Sequence, residues 1–128
     1  MAGAVFPWRD ANQFELLIDG PQFFPRMLAA MADAQTHIDL ELYLVESGAC
    51  AEAIVVALEQ AAARDVRVRC LFDGYGSLAF TLGLRRRLID AGVELRFYNG
   101  ISWRKGLNNL YRDHRKLLLV DQRLAVFG

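Results

Sequence analysis

Apolar and polar residues follow two different periods along this chain, and the two periods predict strands and helices in turn. Short runs that are apolar throughout, or at every second position, are typical of strands, whereas apolar residues three and four positions apart are typical of helices. The predicted strands are 14–18, 37–45, 66–72 and 93–98, and the predicted helices between them are 21–35, 51–63 and 80–91. A loop over 99–111, a strand over 113–121 and a last strand over 124–127 complete the pattern.

The order of these elements predicts an α/β fold. Strands that alternate with helices of ten or more residues are typical of parallel β-α-β units. We therefore expect a sheet of mostly parallel strands with helices on both faces, ending in an antiparallel hairpin that turns at Asp121-Gln122-Arg123. Pro21 and Pro25 both fall within the first turn of the first predicted helix, where a proline costs little.

Three polar residues stand out in and around the apolar run 113–121. His114 is followed by Lys116 and then by Asp121, in the spacing H-x-K-x4-D. Because alternate side chains of a strand share a face, His114 and Lys116 are predicted side by side, whereas Asp121 faces the other way and is expected to have a structural role. Phosphate fits between an imidazole and an ammonium, since imidazole can attack phosphorus while the ammonium neutralises the phosphoryl oxygens.

The residues around this motif are similar to a known family. The segment 112–128 resembles the signature of the phospholipase D superfamily, in which H-x-K-x4-D is followed by a further glycine, here Gly128. Three other stretches, 14–26, 38–43 and 73–77, look like the bacterial cardiolipin synthase branch of that superfamily. The resemblance extends over nearly the whole chain of 128 residues and implies the N-terminal half of such a protein.

The resemblance implies a mechanism and a second component. In this superfamily the motif histidine forms a covalent phosphohistidine, the lysine stabilises phosphoryl charge, and neither a metal nor a cofactor is required. By resemblance His114, Lys116 and Asp121 are the catalytic motif residues here. A second histidine from a second copy of the motif protonates the leaving group, and His37 cannot be that residue because it lacks the accompanying lysine. We therefore expect 1–128 to be an incomplete N-terminal lobe that needs a C-terminal half or a homodimer partner.

Three further residues are candidate substrate contacts: Glu41, Tyr43 and Ser77. Glu41 and Tyr43 alternate along a predicted strand, where a buried carboxylate could orient a histidine; a solvated strand face is the alternative. Ser77 ends the segment Asp73-Gly74-Tyr75-Gly76-Ser77, which follows a predicted strand. Ligands tend to bind at the carboxyl ends of strands in open α/β sheets, although a tight turn explains the same glycines.

The charge distribution suggests an anionic partner for the C-terminal part of the chain, with a merely solvated face as the alternative. Residues 1–80 contain 5 basic and 11 acidic residues, whereas residues 81–128 contain 10 basic and 4 acidic residues. Within the predicted loop, Trp103, Arg104, Lys105 and Arg112 mix aromatic and basic character. This composition suits peripheral contact with an anionic membrane, a channel for single-stranded nucleic acid, or a loop that closes over the sheet.

Three functions from different classes remain open at this point. The resemblance favours a phosphatidyltransferase of the cardiolipin synthase type, which acts on anionic phospholipids at the cytoplasmic side of the bacterial cell membrane. The alternative is a phosphodiesterase or endonuclease that cuts nucleic acid as a homodimer. A third hypothesis is a catalytically silent relative that serves as a binding module. Vesicle binding, salt-sensitive DNA binding and retained function in His114→Ala would favour the three hypotheses respectively.

Overall fold

The computed structural model describes residues 7–128, and in this range a five-stranded sheet carries a layer of helices. The strands are β1 His37–Leu42, β2 Arg67–Asp73, β3 Glu94–Tyr98, β4 Lys116–Val120 and β5 Leu124–Phe127. The helices are α1 Asp19–Asp33, α2 Ala49–Ala63 and α3 Leu82–Asp90, and a 3-10 segment spans Trp103–Leu110.

The strands form one mixed sheet in the order β3-β2-β1-β4-β5. The pairs β1/β2 and β2/β3 are parallel, whereas β4 pairs antiparallel with β1 and with β5. The predicted α/β class and the terminal antiparallel hairpin are therefore confirmed. The sheet is less parallel than the pattern suggested, because β4 enters next to β1 from the opposite direction.

The three helices pack in series, α1 against α2 and α2 against α3. Both crossovers, β1-α2-β2 and β2-α3-β3, step in the same direction along the sheet. Since such connections are right-handed, they place their helices on the same face. Within residues 7–128 the helices therefore occupy one face of the sheet. The prediction from the sequence, helices on both faces, was wrong in this respect.

The buried apolar residues of β1, β2 and β4 point towards this helix layer. They alternate along the strands with exposed or half-buried positions, as a sheet covered on one face requires: Ile38, Leu40, Val68, Cys70, Phe72, Leu118 and Val120. The opposite face carries charged residues on β1, β2 and β3. There Arg69 Nε lies 2.5 Å from Asp39 Oδ1, and Arg67 pairs with Glu94 at 3.2 Å.

One predicted strand is absent from the described residues, and several predicted boundaries shift. Residues 14–18 do not form a strand; Phe14 and Leu16 are exposed, and no strand of the described chain pairs with this segment. Helix α1 begins at Asp19, two residues early, which places Pro25 in its second turn. Strand β4 begins at Lys116, so His114 lies just before the strand and not within it.

Paired substitutions in β4 test the placement of the helices on one face. Leu118 is 1% exposed and faces the helices, whereas Leu119 is half-buried on the other face. We expect Leu118→Ala to lower the free energy of unfolding by about 2–5 kcal/mol, because it leaves a cavity in the core. Leu119→Ala should cost well under half as much. Urea denaturation measures both, and equal losses would contradict the single helix layer.

Candidate active site

His114 and Lys116 lie at one end of β4, where β1 finishes. Leu42 at the end of β1 pairs with Lys116, so the residues just beyond each strand meet at this edge. The rings of Tyr43 and His114 are in contact, with centroids 4.2 Å apart and planes inclined by 49°. His114 and Lys116 are both exposed. The edge therefore presents an imidazole supported by an aromatic ring, with an ammonium two residues further on.

His114 also lines an open cleft of about 580 Å³. The cleft is lined by Leu71, Tyr98, Arg112, Asp113, His114 and Arg115. Tyr98 is the last residue of β3, and β3 is parallel to β2. The cleft thus lies at the carboxyl ends of the parallel strands, where ligands bind in open α/β sheets.

A buried carboxylate holds the segment that leads into His114. Asp73, the last residue of β2, is 1% exposed. Its Oδ1 accepts hydrogen bonds from the backbone N–H groups of Tyr75 at 2.9 Å and Gly76 at 3.0 Å, and its Oδ2 accepts one from Asp113 N–H at 3.0 Å. Burial raises the pKa of this carboxyl, but the three N–H groups and the charge of Arg112 outweigh it, so the pKa lies below its ordinary value. Asp73 is therefore ionised at neutral pH and fixes Asp113, the neighbour of His114.

The loop after Asp73 also fixes Tyr43. Val45 N–H donates to the carbonyl of Gly76 at 3.0 Å. A Cβ on Gly76 would lie 1.9 Å from the carbonyl oxygen of Tyr43, so only glycine permits this approach. The turn 73–77 therefore contacts two backbone segments, one next to His114 at Asp113 and the other at Tyr43 and Val45.

Ser77 is not available to a substrate, which corrects the sequence-based prediction. Its side chain is completely buried, and its Oγ donates to the carbonyl of Asp73 at 2.6 Å. Ser77 therefore closes the turn from inside. The tight-turn explanation of the glycines describes this segment better than direct ligand contact by the serine does.

Arg112 lies inside the site and not on the outer surface. Its side chain is only 12% exposed, and its Nη1 lies 3.5 Å from Asp73 Oδ1 and donates to the carbonyl of Asn99 at 3.2 Å. The guanidinium also lies 5.5 Å from the centre of the Tyr75 ring. Arg112 thus supports the site between Asp73 and the loop that begins at Asn99, and its predicted contact with a membrane or an anion stays a prediction.

Glu41 forms an ion pair at the rim of the site. Arg115 Nη1 lies 3.4 Å from Glu41 Oε2, and Arg115 Nε lies 3.8 Å from Asp113 Oδ1. Glu41 is largely buried, with 24% of its side chain exposed, whereas Arg115 is mostly exposed. Glu41 thus orients an arginine beside His114, where the sequence suggested either a histidine partner or a solvated face.

The remaining loop residues divide into outward and inward groups. Trp103 and Arg104 are exposed. Lys105 is half-buried, and its Nζ donates to Asn99 Oδ1 at 3.1 Å and to the carbonyl of Gly100 at 2.7 Å. The ammonium of Lys105 therefore stabilises the loop itself, and its predicted contact with a membrane or an anion stays a prediction.

Asp121 lies at the opposite end of β4 from His114, across a strand of roughly 17 Å. Its carboxylate accepts hydrogen bonds from the N–H groups of Gln35, Thr36 and His37 at 2.8–3.0 Å. The N–H groups of His37, Gln35 and Thr36 hold the pKa of Asp121 well below its usual range. This placement agrees with the structural role inferred for Asp121 and gives it no contact with the cleft.

The comparisons with known proteins agree with this geometry. The family model for "Cardiolipin synthase, PLD-like domain" matches residues 27–128. The chain belongs to this family of the phospholipase D superfamily. Cardiolipin synthase B of Salmonella typhi is 37% identical over 123 residues, covering 94% of this chain and 30% of the relative. Cardiolipin synthase 1 of Bacillus cereus is 34% identical over 128 residues, covering 95% and 24%. The chain thus spans less than a third of the length of these relatives.

Solved structures show the same fold. Nuc from Salmonella typhimurium, a phospholipase D family member, matches with a TM-score of 0.55 and 22% identity over 76% of this chain and 56% of that structure. NucT from Helicobacter pylori matches with a TM-score of 0.60 and 14% identity over 84% and 65%. At these identities the structures support the fold alone, and they confirm the phospholipase D-like α/β architecture.

Asp73 is the functional residue that sequence reasoning missed. The available signal was an aspartate at the end of a buried strand, followed by Gly-Tyr-Gly, because aspartate side chains commonly accept from backbone N–H groups two residues on. No local pattern could show its second contact, since Asp113 is 40 residues away in sequence.

The substitution Asp73→Asn tests this support. An asparagine keeps one carbonyl oxygen for Tyr75 and Gly76 but turns an NH2 group towards the N–H of Asp113. We expect the free energy of unfolding to fall by about 1–3 kcal/mol and the Asp113 amide to exchange faster with deuterium. Asp90→Asn, in an exposed ion pair with Arg86, is the control and should change little. Unchanged protection at Asp113 would show that Asp73 does not hold the segment.

Acid titration tests the role of Asp121. Since its pKa is lower in the folded protein than the ordinary value of about 4, its stabilisation is present above that value and disappears as pH falls through the folded pKa. Asp121→Asn should therefore lower the melting temperature at pH 7, and the difference from the unchanged protein should narrow below roughly pH 4. Thermal denaturation followed from pH 7 to pH 2 measures this, and a difference that stays constant would contradict stabilisation by the ionised Asp121 carboxylate.

Proposed function

We propose that this chain contributes the nucleophile of a phosphatidyltransferase of the cardiolipin synthase type. The observation that supports the proposal is an exposed His114 in the lining of a cleft, with Lys116 exposed two residues further on, in a chain that belongs to the cardiolipin synthase family. The donor would be phosphatidylglycerol and the acceptor a lipid alcohol. Relatives of this name cover far more sequence than this chain does, so the activity is assigned to the full-length protein.

The reaction would proceed in two displacements at phosphorus. An imidazole nitrogen of His114 attacks the phosphodiester and forms a P–N bond, while the P–O bond to the leaving glycerol breaks and the alkoxide takes a proton from an acid. The hydroxyl of the acceptor lipid then attacks phosphorus, the P–N bond breaks, and the acceptor's proton passes to the conjugate base of that acid, which regenerates the acid. Lys116 neutralises the phosphoryl oxygens throughout. Tyr43, in contact with the His114 ring, would hold the imidazole in its attacking orientation.

The proton-transfer acid would be the histidine of a second motif. This chain has one H-x-K-x4-D sequence, and its other histidine, His37, lies at the far end of β1 from Tyr43. A second lobe, in the same polypeptide or in a homodimer partner, would therefore complete the site. We place the enzyme at the cytoplasmic side of the bacterial cell membrane as a peripheral protein. Among residues 7–128, no helix is long and apolar enough to cross a bilayer.

Trapping of the covalent intermediate tests the proposal. The full-length protein is mixed with phosphatidylglycerol carrying a labelled phosphate, quenched at alkaline pH to preserve the P–N bond, and digested for mass spectrometry. We expect label on the peptide that contains His114, and at least a roughly 10³-fold loss of transfer in His114→Asn. Lys116→Gln should cost about 10²–10³-fold. His37→Asn is the matched control and should retain activity.

The products distinguish transfer from the alternative. Both reactions release glycerol from phosphatidylglycerol. Formation of cardiolipin supports the transferase, whereas phosphatidic acid without cardiolipin indicates hydrolysis by water. Cleavage of DNA that depends on His114, without any labelled lipid intermediate, would replace the proposal with the homodimeric nuclease. Label that persists in His114→Asn would exclude His114 as the nucleophile.

A further inference from the structure

The loop 99–111 exposes most of its large apolar side chains to solvent. Five of its large apolar side chains are exposed: Ile101, Trp103, Leu107, Leu110 and Tyr111. Trp103 is fully exposed, and Leu107 and Leu110 are 82% and 75% exposed. Such a concentration of large apolar side chains on a surface marks an interaction site more often than single exposed residues do.

Three polar side chains of the same loop, Asn99, Lys105 and Asn109, bond to the loop's own backbone and fix its shape. Asn99 Nδ2 donates to the carbonyls of Asn108 at 2.7 Å and Tyr111 at 2.8 Å. Asn109 Nδ2 donates to the carbonyls of Ser102 at 2.9 Å and Gly106 at 3.0 Å, and Asn109 Oδ1 accepts from Ser102 N–H. Together with the ammonium of Lys105, these bonds satisfy the backbone of a short, irregular segment. The exposed apolar side chains are therefore carried on an internally supported loop.

The surroundings of this loop are basic. Residues 96–116 contain six basic side chains and one acidic side chain. Arg104 within the loop and Arg115 beside the cleft are both exposed. Apolar side chains next to exposed cations complement an anionic lipid surface, in which acyl chains lie beneath negatively charged headgroups.

The loop is joined directly to the cleft. Arg112 donates to the carbonyl of Asn99, and Asn99 donates to that of Tyr111, so the two ends of the loop are tied together beside the site. Tyr111 precedes His114 by three residues, which limits their Cα separation to about 11 Å. Apolar groups at a membrane interface are buried about 5–10 Å deep. A loop inserted to that depth would hold His114 near the level of the lipid phosphates.

We propose that the loop 99–111 inserts Trp103, Leu107 and Leu110 into the acyl boundary of an anionic bilayer and thereby sets the depth at which the His114 cleft meets a lipid phosphodiester. This inference rests on the proposed function and names its membrane-docking element. The prevalence of aliphatic side chains favours a lipid over single-stranded nucleic acid, because stacking on bases requires aromatic side chains.

Vesicle binding by the full-length protein tests the inference. Cosedimentation with mixed phosphatidylglycerol and phosphatidylcholine vesicles is compared for the unchanged protein, Leu107→Ser/Leu110→Ser, and Leu82→Ser. Leu82, 80% exposed at the start of α3, is a matched leucine outside the loop. We expect at least tenfold weaker partitioning of the double variant and no change for Leu82→Ser. Equal partitioning of all three, or no vesicle binding by the unchanged protein, would overturn the inference.

A second pair of variants tests the contribution of charge. Arg104→Gln should weaken binding to anionic vesicles about fivefold, whereas Arg86→Gln, mostly exposed on α3, should have no effect. Vesicles of phosphatidylcholine alone should bind more weakly than mixed vesicles and should not distinguish the two variants. The same loss for both arginines would show that net charge acts without the loop.

If the loop binds a partner other than a membrane, different results are expected. A protein interface predicts that Leu107→Ser/Leu110→Ser changes the sedimentation of the protein without vesicles, and a nucleic-acid site predicts that Trp103→Ser weakens oligonucleotide binding but not vesicle binding. Either result would overturn the inference. His114→Asn should keep its vesicle binding. Loop-dependent binding without a phosphohistidine would thus contradict the proposed function alone, and a phosphohistidine with loop-independent binding would contradict this inference alone.

Discussion

The site depends on one buried negative charge. Burying an ionised carboxylate is costly unless nearby groups compensate it, and Asp73 is compensated by three backbone N–H groups and by Arg112. These donors belong to the turn after β2 and to the segment before β4, which are far apart in sequence. The Asp73 carboxylate therefore joins these two segments next to His114. Such a charge would destabilise the end of an isolated strand. In this fold it determines the position of the candidate nucleophile, His114.

A second carboxylate has the corresponding role at the other end of β4. The carbonyls of Met31 and Ala32 at the end of α1 accept from Arg64, and the three N–H groups that follow at 35–37 donate to Asp121. The connection from α1 to β1 thus has most of its polar backbone satisfied by two side chains from other elements. Strand β4 is consequently fixed at both ends by carboxylates, and only the end with Asp73 also bears the exposed His114. The H-x-K-x4-D sequence therefore has its exposed histidine and lysine at one end of β4, and at the other end a carboxylate that binds backbone N–H groups.

Local patterns predicted most elements because the helices are covered on one side and the strands alternate. They failed where the outcome depends on distant partners. Residues 14–18 have the composition of a strand, but no described strand lies beside them. The direction of β4 and the single helix layer follow from strand order, which periodicity does not encode. At the site, the sequence singled out His114, Lys116 and Tyr43 as candidates. It did not single out Asp73, and it did not show that Ser77 is buried, since burial is a property of the assembled turn.

A count of basic residues along the sequence overstates the positive charge that this protein presents to a partner. Arg112 neutralises Asp73, and Lys105 donates to the backbone of its own loop. Neither cation is presented outward, although both contribute to the positive C-terminal balance. Arg104 and Arg115 are exposed, and they flank the apolar loop and the cleft respectively. The positive charge that reaches solvent is therefore smaller than the sequence total but lies beside the exposed apolar side chains and His114. An anionic interface that offers both acyl chains and phosphates complements this arrangement better than a uniformly charged polymer does.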